Sequence, residues 1–315
     1  MDQTLPKANA GKFIDPAVTA DGSPRARVGL VGLKTLWFNT GTLCNIACTG
    51  CYIESSPTND RLEYLRLKEM RAYLDEAEAL GAPLEEVGFT GGEPFMNPDI
   101  IRMIEAALAR GYRVLVLTNA MRPMMRPRLQ AGLKKLVALY GERLTLRVSL
   151  DHWRAEQHDA VRGPGSFAET LAGMDWLQSE GLRMAVAGRA LWGVPEAEAR
   201  AEYGRLFFEQ NLKIDAQDPA SLVIFPDMDE SVEVPEITTA CWGILGKSPE
   251  ALMCASSRMV IKRRGMPPSV VACTLLPYDA RFELGTRLAE AAGEVALNHP
   301  HCAKFCVLGG ASCSV

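Results

Sequence analysis

At 315 residues, 48% hydrophobic and 23% charged, the chain can build one large domain, or a large and a small one, around a sizeable core. Its net charge of −4 argues against a nucleic-acid partner, because phosphate binding wants a basic face. Apolar runs such as 114–117 and 221–225 are of strand length, far below the roughly 20 residues of a spanning helix. The opening Met1-Asp2-Gln3-Thr4 lacks the apolar core of a signal peptide, so the expectation is a cytoplasmic protein with no membrane partner.

Residues 1–32, rich in Pro, Gly, Ala and charge, read as an irregular lead-in. Residues 33–39 (LKTLWFN) read as a strand, and 64–80 as a helix stopped by Gly81-Ala82-Pro83. A short strand follows at 86–90, then a helix at 98–110 opened by Asn97 and closed by Gly111. Residues 113–118 are a buried strand, 128–140 a helix ending at Gly141, and 144–150 a strand. A helix at 166–180, a strand at 183–191, a helix at 195–210 and a strand at 221–225 complete the series. Such alternation is the pattern of a parallel sheet built from βαβ units. The expected class is α/β, a partial (β/α)6 TIM-like barrel over 33–226. At Pro226-Asp227 the pattern breaks. Residues 227–315, with a hairpin around Gly265-Met266-Pro267-Pro268 and one helix over 281–292, read as a small α+β cluster-binding domain.

Nine cysteines in a reducing compartment are ill suited to disulfides, and short spacings favour metal or cluster ligation. One group is Cys44, Cys48 and Cys51. The other is Cys241, Cys254, Cys273, Cys302, Cys306 and Cys313. The first follows a strand, on the face where parallel α/β barrels place their chemistry. Three thiolates there can wrap one face of a cubane cluster and leave the fourth iron without a protein ligand. A zinc site sharing a further cysteine is the competing reading. The next strand ends in Thr90-Gly91-Gly92-Glu93-Pro94. Its glycines admit close backbone approach and its carboxylate can accept from an ammonium group; an ordinary turn with Glu93 in water is the alternative.

Cys-x3-Cys-x2-Cys after a first strand, with Gly-Gly-Glu-Pro at the end of the next, resembles the signature of the radical S-adenosylmethionine (radical SAM) enzymes. The resemblance covers residues 33–315. It implies a [4Fe–4S] cluster on Cys44, Cys48 and Cys51 whose open iron is chelated by S-adenosylmethionine. One electron then cleaves the cofactor to a 5′-deoxyadenosyl radical that abstracts hydrogen from a substrate. In this family Gly91, Gly92, Glu93 and Pro94 would cradle the methionyl amino group. Asn119, Ser149 and Asp151 end later strands and would line the cavity, and Arg189 would face the cofactor carboxylate. The plainer readings are a helix cap for Asp151 and a surface position for Arg189. Gly50 departs from the pattern, since the family often carries a bulky residue there, and looser packing beside the adenine is expected.

The stretch Arg162-Gly163-Pro164-Gly165-Ser166-Phe167 resembles one seen in relatives with a carboxy-terminal cluster domain. His152 and His158, near one strand end, are candidates for acid–base work, against a role as polar helix residues. Trp37, Trp153 and Trp192 read as core or cavity wall. Cys254-x18-Cys273 around the hairpin, followed by Cys302-x3-Cys306, resembles a twitch or SPASM auxiliary-cluster domain. It implies one auxiliary iron–sulfur cluster, [4Fe–4S], on Cys254, Cys273, Cys302 and Cys306, with Cys313 and Cys241 in reserve. A four-cysteine zinc knot competes. Lys262-Arg263-Arg264 reads as a solvated turn. The expected reaction is oxidation or rearrangement of a small molecule, with flavodoxin or ferredoxin as electron donor. Peptide maturation by thioether or carbon–carbon crosslinking, and a non-catalytic electron carrier, are the alternatives.

Overall fold

The computed structural model describes residue 9, residues 11–229 and residues 232–311. Its frame runs β1 (Arg27–Val28), β2 (Thr35–Asn39), α1 (Leu67–Ala79), β3 (Glu86–Thr90), α2 (Ile100–Ala109), β4 (Arg113–Thr118), α3 (Pro127–Tyr140) and β5 (Leu144–Ser149). It continues through α4 (Ala155–Arg162), α5 (Ser166–Ser179), β6 (Arg183–Ala190), α6 (Glu196–Glu209), β7 (Leu222–Pro226) and α7 (Cys241–Leu245). The last strands are β8 (Ser257–Ile261), β9 (Ser269–Val271), β10 (Glu283–Gly285) and β11 (Val295–Ala296).

The six strands β2 to β7 lie side by side in chain order and pair in parallel. Both faces of these strands are covered, which is why they read as near-continuous apolar runs. Outward residues Phe38, Val87, Phe89, Val116 and Val148 pack with Leu74, Ile104, Leu133 and Leu177 of the helices in one core. Alternate residues turn inward, where Trp37 and Leu115 join Met259, Ile261 and Phe305 in a second core. The indole explains Gly88 on the neighbouring strand, because a Cβ there would meet Trp37 at 2.4 Å. In α1 the buried Leu67, Met70, Leu74 and Ala77 recur at helical spacing.

The fold is therefore the α/β partial barrel expected. The boundary expected at residue 226 is not a break in the sheet: β8 pairs in parallel with β2, and β8, β9 and β10 extend the same sheet as an antiparallel edge. The hairpin around Gly265 is the β8–β9 connection. The helix expected over 281–292 is absent. Gly285 sits at φ +120°, and a Cβ there would meet Glu290 Oε2 at 2.3 Å, so the segment divides into a 3-10 turn, β10 and a second 3-10 turn. Helix α4 begins at Ala155 with Arg154 as its cap, rather than at His152 as a cap at Asp151 would place it.

The described part of the lead-in is docked rather than loose. β1 pairs with β11, Phe13 is fully buried, and Arg25 meets Glu236 at 2.5 Å; residues 1–8 and 10 lie outside the described residues. The basic run is a solvated turn only at Arg264, which is exposed, while Lys262 and Arg263 are partly buried in ion pairs. Lys262 pairs with Glu69 at 2.7 Å, Arg263 with Glu283 at 2.9 Å and Arg264 with Asp60 at 3.1 Å. Among the described residues no helix is long and apolar enough to cross a membrane.

Candidate active site

The carboxyl ends of β2 to β7 open onto one cavity of about 180 Å3. The loop after β2 forms one wall and is held by backbone hydrogen bonds. Cys44 N donates to Ser56 O at 3.0 Å, Thr49 N to Val161 O at 2.8 Å, and Glu54 N to Cys51 O at 2.9 Å. Gly50 takes φ +68°, a left-handed conformation that favours glycine. Cys44, Cys48 and Cys51 all line the cavity and none is in a disulfide. Burial pushes the Cys44 thiol up to about 12, and Glu93 with the other two thiols adds to it. Burial also raises Cys48, against the nearby Arg162 cation. A bound cation or cluster reverses that balance by taking the thiolate as ligand. Three thiols on one wall of a cavity fit a cubane with an open corner. Among the described residues no group of three or more His, Cys, Asp or Glu is gathered on a single-ion site.

Gly91 and Gly92 line the same cavity, but the loop behind them dictates their size. A Cβ on Gly91 would meet Gly41 O at 2.5 Å, and one on Gly92 would meet Leu43 O at 2.2 Å. Glu93 and Pro94 stand behind the cavity wall. The Glu93 carboxylate accepts from Phe95 N at 3.1 Å, Thr118 Oγ1 at 2.9 Å and Asn119 N at 2.9 Å. Its donors thus come from the chain itself, and it ties the end of β3 to the end of β4. Burial pushes it up to about 7 against those hydrogen bonds.

Asn119 lines the cavity and donates to Asn45 Oδ1 at 2.9 Å, beside Cys44. Ser149 lines it too. Asp151 is not a helix cap. It accepts from Arg162 Nε at 2.7 Å and Nη2 at 3.2 Å; burial would raise it, but Arg162 outweighs burial and holds it low. Arg189 faces the cavity rather than the surface, with Nη2 3.6 Å from where a Cβ on Gly50 would stand. The room left by the missing bulky side chain is thus met by a guanidinium.

The two histidines do not reach the cavity wall. His152 stacks on Trp153 at 3.7 Å and accepts from Arg154 N at 3.0 Å. His158 is buried edge-on to Phe167 at 5.6 Å. Burial first pushes each down to about 4. Two arginines on the wall were not read from sequence as cavity residues, Arg147 and Arg162. The signal for Arg147 was the period of two in LTLRVS, which puts it on the inward face of β5 with Thr145 and Ser149.

Among the second cysteines, the β8–β9 hairpin brings its two flanks together, Cys254 before β8 and Cys273 after β9. Cys302 and Cys306 lie one turn apart on a π-helix, Cys302–Leu308. Cys254 and Cys302 are buried in the inner core, and Cys273, Cys306 and Cys241 are partly buried and packed against it. Burial raises Cys302 well above its usual value, and Cys273 and Cys254 add to it; burial takes Cys254 to about 11. Cys241 Sγ accepts from Thr238 N at 3.4 Å. Cys313 lies outside the described residues.

The radical SAM superfamily model matches residues 38–195. The chain belongs to the radical SAM superfamily. It is accordingly an enzyme of a family whose cofactors are a [4Fe–4S] cluster and S-adenosylmethionine. The chain is 28% identical over 183 residues to the AdoMet-dependent heme synthase of Oleidesulfovibrio alaskensis, covering 57% of this chain and 42% of that protein. It is 29% identical over 174 residues to the antilisterial bacteriocin subtilosin biosynthesis protein AlbA of Bacillus subtilis, 53% of this chain and 37% of that one. The chain thus spans about two fifths of the length of these relatives. Among solved structures, Streptococcus suis SuiB bound to S-adenosylmethionine superposes with a TM-score of 0.58 at 12% identity, over 81% of this chain and 64% of that one. At that identity the likeness shows the fold.

Proposed function

We propose that Cys44, Cys48 and Cys51 hold the catalytic cluster of this radical SAM enzyme and that the same cavity seats a small-molecule substrate, which is oxidised or rearranged after loss of a hydrogen atom. The observation that carries the reading is the position of the three thiols on one wall of the cavity at the strand ends. Bound there, a [4Fe–4S] cluster with one open iron and S-adenosylmethionine supply the 5′-deoxyadenosyl radical. The chain's own residues do the rest. Leu117, Phe225, Leu275 and Phe305 line the cavity and keep water from a reactive centre. Arg189 offers its guanidinium to the cofactor carboxylate. Asn119 and Ser149 supply polar contacts, and Gly91, Gly92, Glu93 and Pro94 fix the end of β3 against the cysteine loop.

Residues 227–315 act in this reading as a twitch-like auxiliary domain. Cys254, Cys273, Cys302 and Cys306 hold one further [4Fe–4S] cluster, supported by the mutual electrostatic influence of Cys254, Cys273 and Cys302. A flavodoxin or ferredoxin in the cytoplasm supplies the electron. The relatives' names span a heme synthase and a bacteriocin biosynthesis protein, so peptide maturation stands as the alternative.

The test is anaerobic reconstitution of the full chain. Iron and acid-labile sulfide should load, S-adenosylmethionine should yield 5′-deoxyadenosine, and Cys48→Ala should abolish that yield. Zinc in place of iron, or an undiminished yield from Cys48→Ala, overturns the reading. Candidate small molecules and peptides, offered in turn, separate the two substrate classes by which one stimulates the yield.

A further inference from the structure

Helix α4 ends against the cysteine loop: Thr49 N donates to Val161 O at 2.8 Å, one residue before Arg162. Arg162 turns into the cavity that Cys44, Cys48 and Cys51 line, with its side chain only 14% exposed. A buried guanidinium is costly unless paired. Asp151, itself nearly inaccessible, meets it with both carboxylate oxygens, at 2.7 and 3.2 Å. This is the fork-to-fork geometry that fixes direction as well as distance. The orientation matters because the pair is not electrically neutral from the thiols' position. Arg162, Asp151 and the three thiols line one cavity, so the guanidinium and the carboxylate act on the thiols with opposite signs. Two further charged groups face this region: Arg189 lines the same cavity, and Glu93 stands behind its wall, bound to Thr118 and Asn119.

We propose that Arg162, locked by Asp151, is a positioning charge for the cluster on Cys44, Cys48 and Cys51: its guanidinium eases entry of the reducing electron by setting the cluster's potential. The inference rests on the proposed ligand set. The potential of an iron–sulfur cluster follows its net charge and surroundings, and a cation fixed beside the thiolates stabilises the reduced form, which carries one more negative charge. Asp151 sets how near that cation stands and partly cancels it.

The experiment is a redox titration of the reconstituted full chain, following the electron paramagnetic resonance signal of the reduced cluster. To isolate it, the four auxiliary cysteines are left intact and the Cys44/Cys48/Cys51 signal is identified by its perturbation on adding S-adenosylmethionine. Arg162→Gln should move the midpoint to more negative potential. Arg162→Lys, which keeps the charge but loses the fork, should fall between Arg162→Gln and the native chain. Asp151→Asn should move it the opposite way, to more positive potential. Opposite signs from the two partners of one ion pair are the mark of a charge effect, since simple disruption of the loop would shift both variants alike. Equal midpoints in all variants, or shifts of the same sign from both partners, overturn the proposal. A native chain with no such cofactor-sensitive signal overturns the ligand assignment instead, so the two failures are distinguishable.

Discussion

The molecule gathers thiols twice, and the two places differ in what surrounds them. Cys44, Cys48 and Cys51 stand on a cavity wall, on a loop held by its own backbone bonds, with the guanidiniums of Arg162 and Arg189 on the same cavity. Cys254 and Cys302 are buried in apolar core with Cys273 and Cys306 packed against them. The cation beside this second group, Arg258, is turned to main-chain carbonyls of Cys254, Ser257, Ala291 and Gly293. Open access and mobile ligands suit the first environment; the second closes a fold. Chemistry at thiols therefore depends less on cysteine spacing than on whether the wall opposite is empty or packed.

The largest expected effect breaks that comparison directly. Replacing Cys254, Cys273 and Cys302 together by serine removes three ligands of the proposed auxiliary cluster in the carboxy-terminal region. It should cost on the order of 10 kcal/mol in the loaded protein, enough to prevent folding. Replacing Cys44, Cys48 and Cys51 should leave a folded chain with an unchanged far-ultraviolet circular dichroism spectrum and no 5′-deoxyadenosine. If both triple variants fold equally well, the carboxy-terminal thiols are not a staple.

A smaller effect tests whether Gly92 serves the loop or an incoming ligand. In Gly92→Ala the new methyl would lie 2.2 Å from Leu43 O, so β3 and the cysteine loop cannot both keep their places. A loss of roughly 3 kcal/mol in chemical denaturation is expected without any ligand present. A variant of native stability that binds S-adenosylmethionine poorly would instead make the glycine a ligand contact.

The barrel was legible because two-sided burial writes itself as runs such as EVGFT and RVLVLT, and the first cysteines because their spacing is local. The bounds of helix α4 were not, because AEQHDAVR buries only His158 and Val161 and so shows no apolar stripe. The segment 281–292 misled in the other sense. Its Leu, Ala and Glu suit a helix, but Gly285 and pairing with β9 override that preference. The role of Glu93 depends on Thr118 and Asn119, which no local pattern connects to it. Arg162 was visible only as the first residue of the Arg162–Phe167 stretch, since its partner Asp151 lies across α4.

The last comparison sets the buried histidine behind the cysteine loop against the buried acid beside it. His158 is fully buried, and among the described residues neither ring nitrogen has a hydrogen-bond partner. Burial, with Arg162 next in weight, pushes it from 6.5 to about 4. Between those values the unfolded chain binds a proton that the folded chain refuses. Stability from this group is therefore complete above pH 6.5 and is lost as the pH falls toward 4, by roughly 3 kcal/mol in all. Glu93 acts in the opposite sense. Raised by burial from 4.5 to about 7, it is favoured by low pH and loses its contribution as the pH rises through that window. The two slopes overlap and partly cancel in the native chain, so the raw pH dependence of stability says little. The difference between native and His158→Leu isolates the histidine. Urea denaturation at pH 7 and pH 5 should show the native chain losing more stability on acidification than the variant does. Identical losses would mean that the imidazole is already hydrated, and that the space between α4 and α5 is not the dry packing its contact with Phe167 implies.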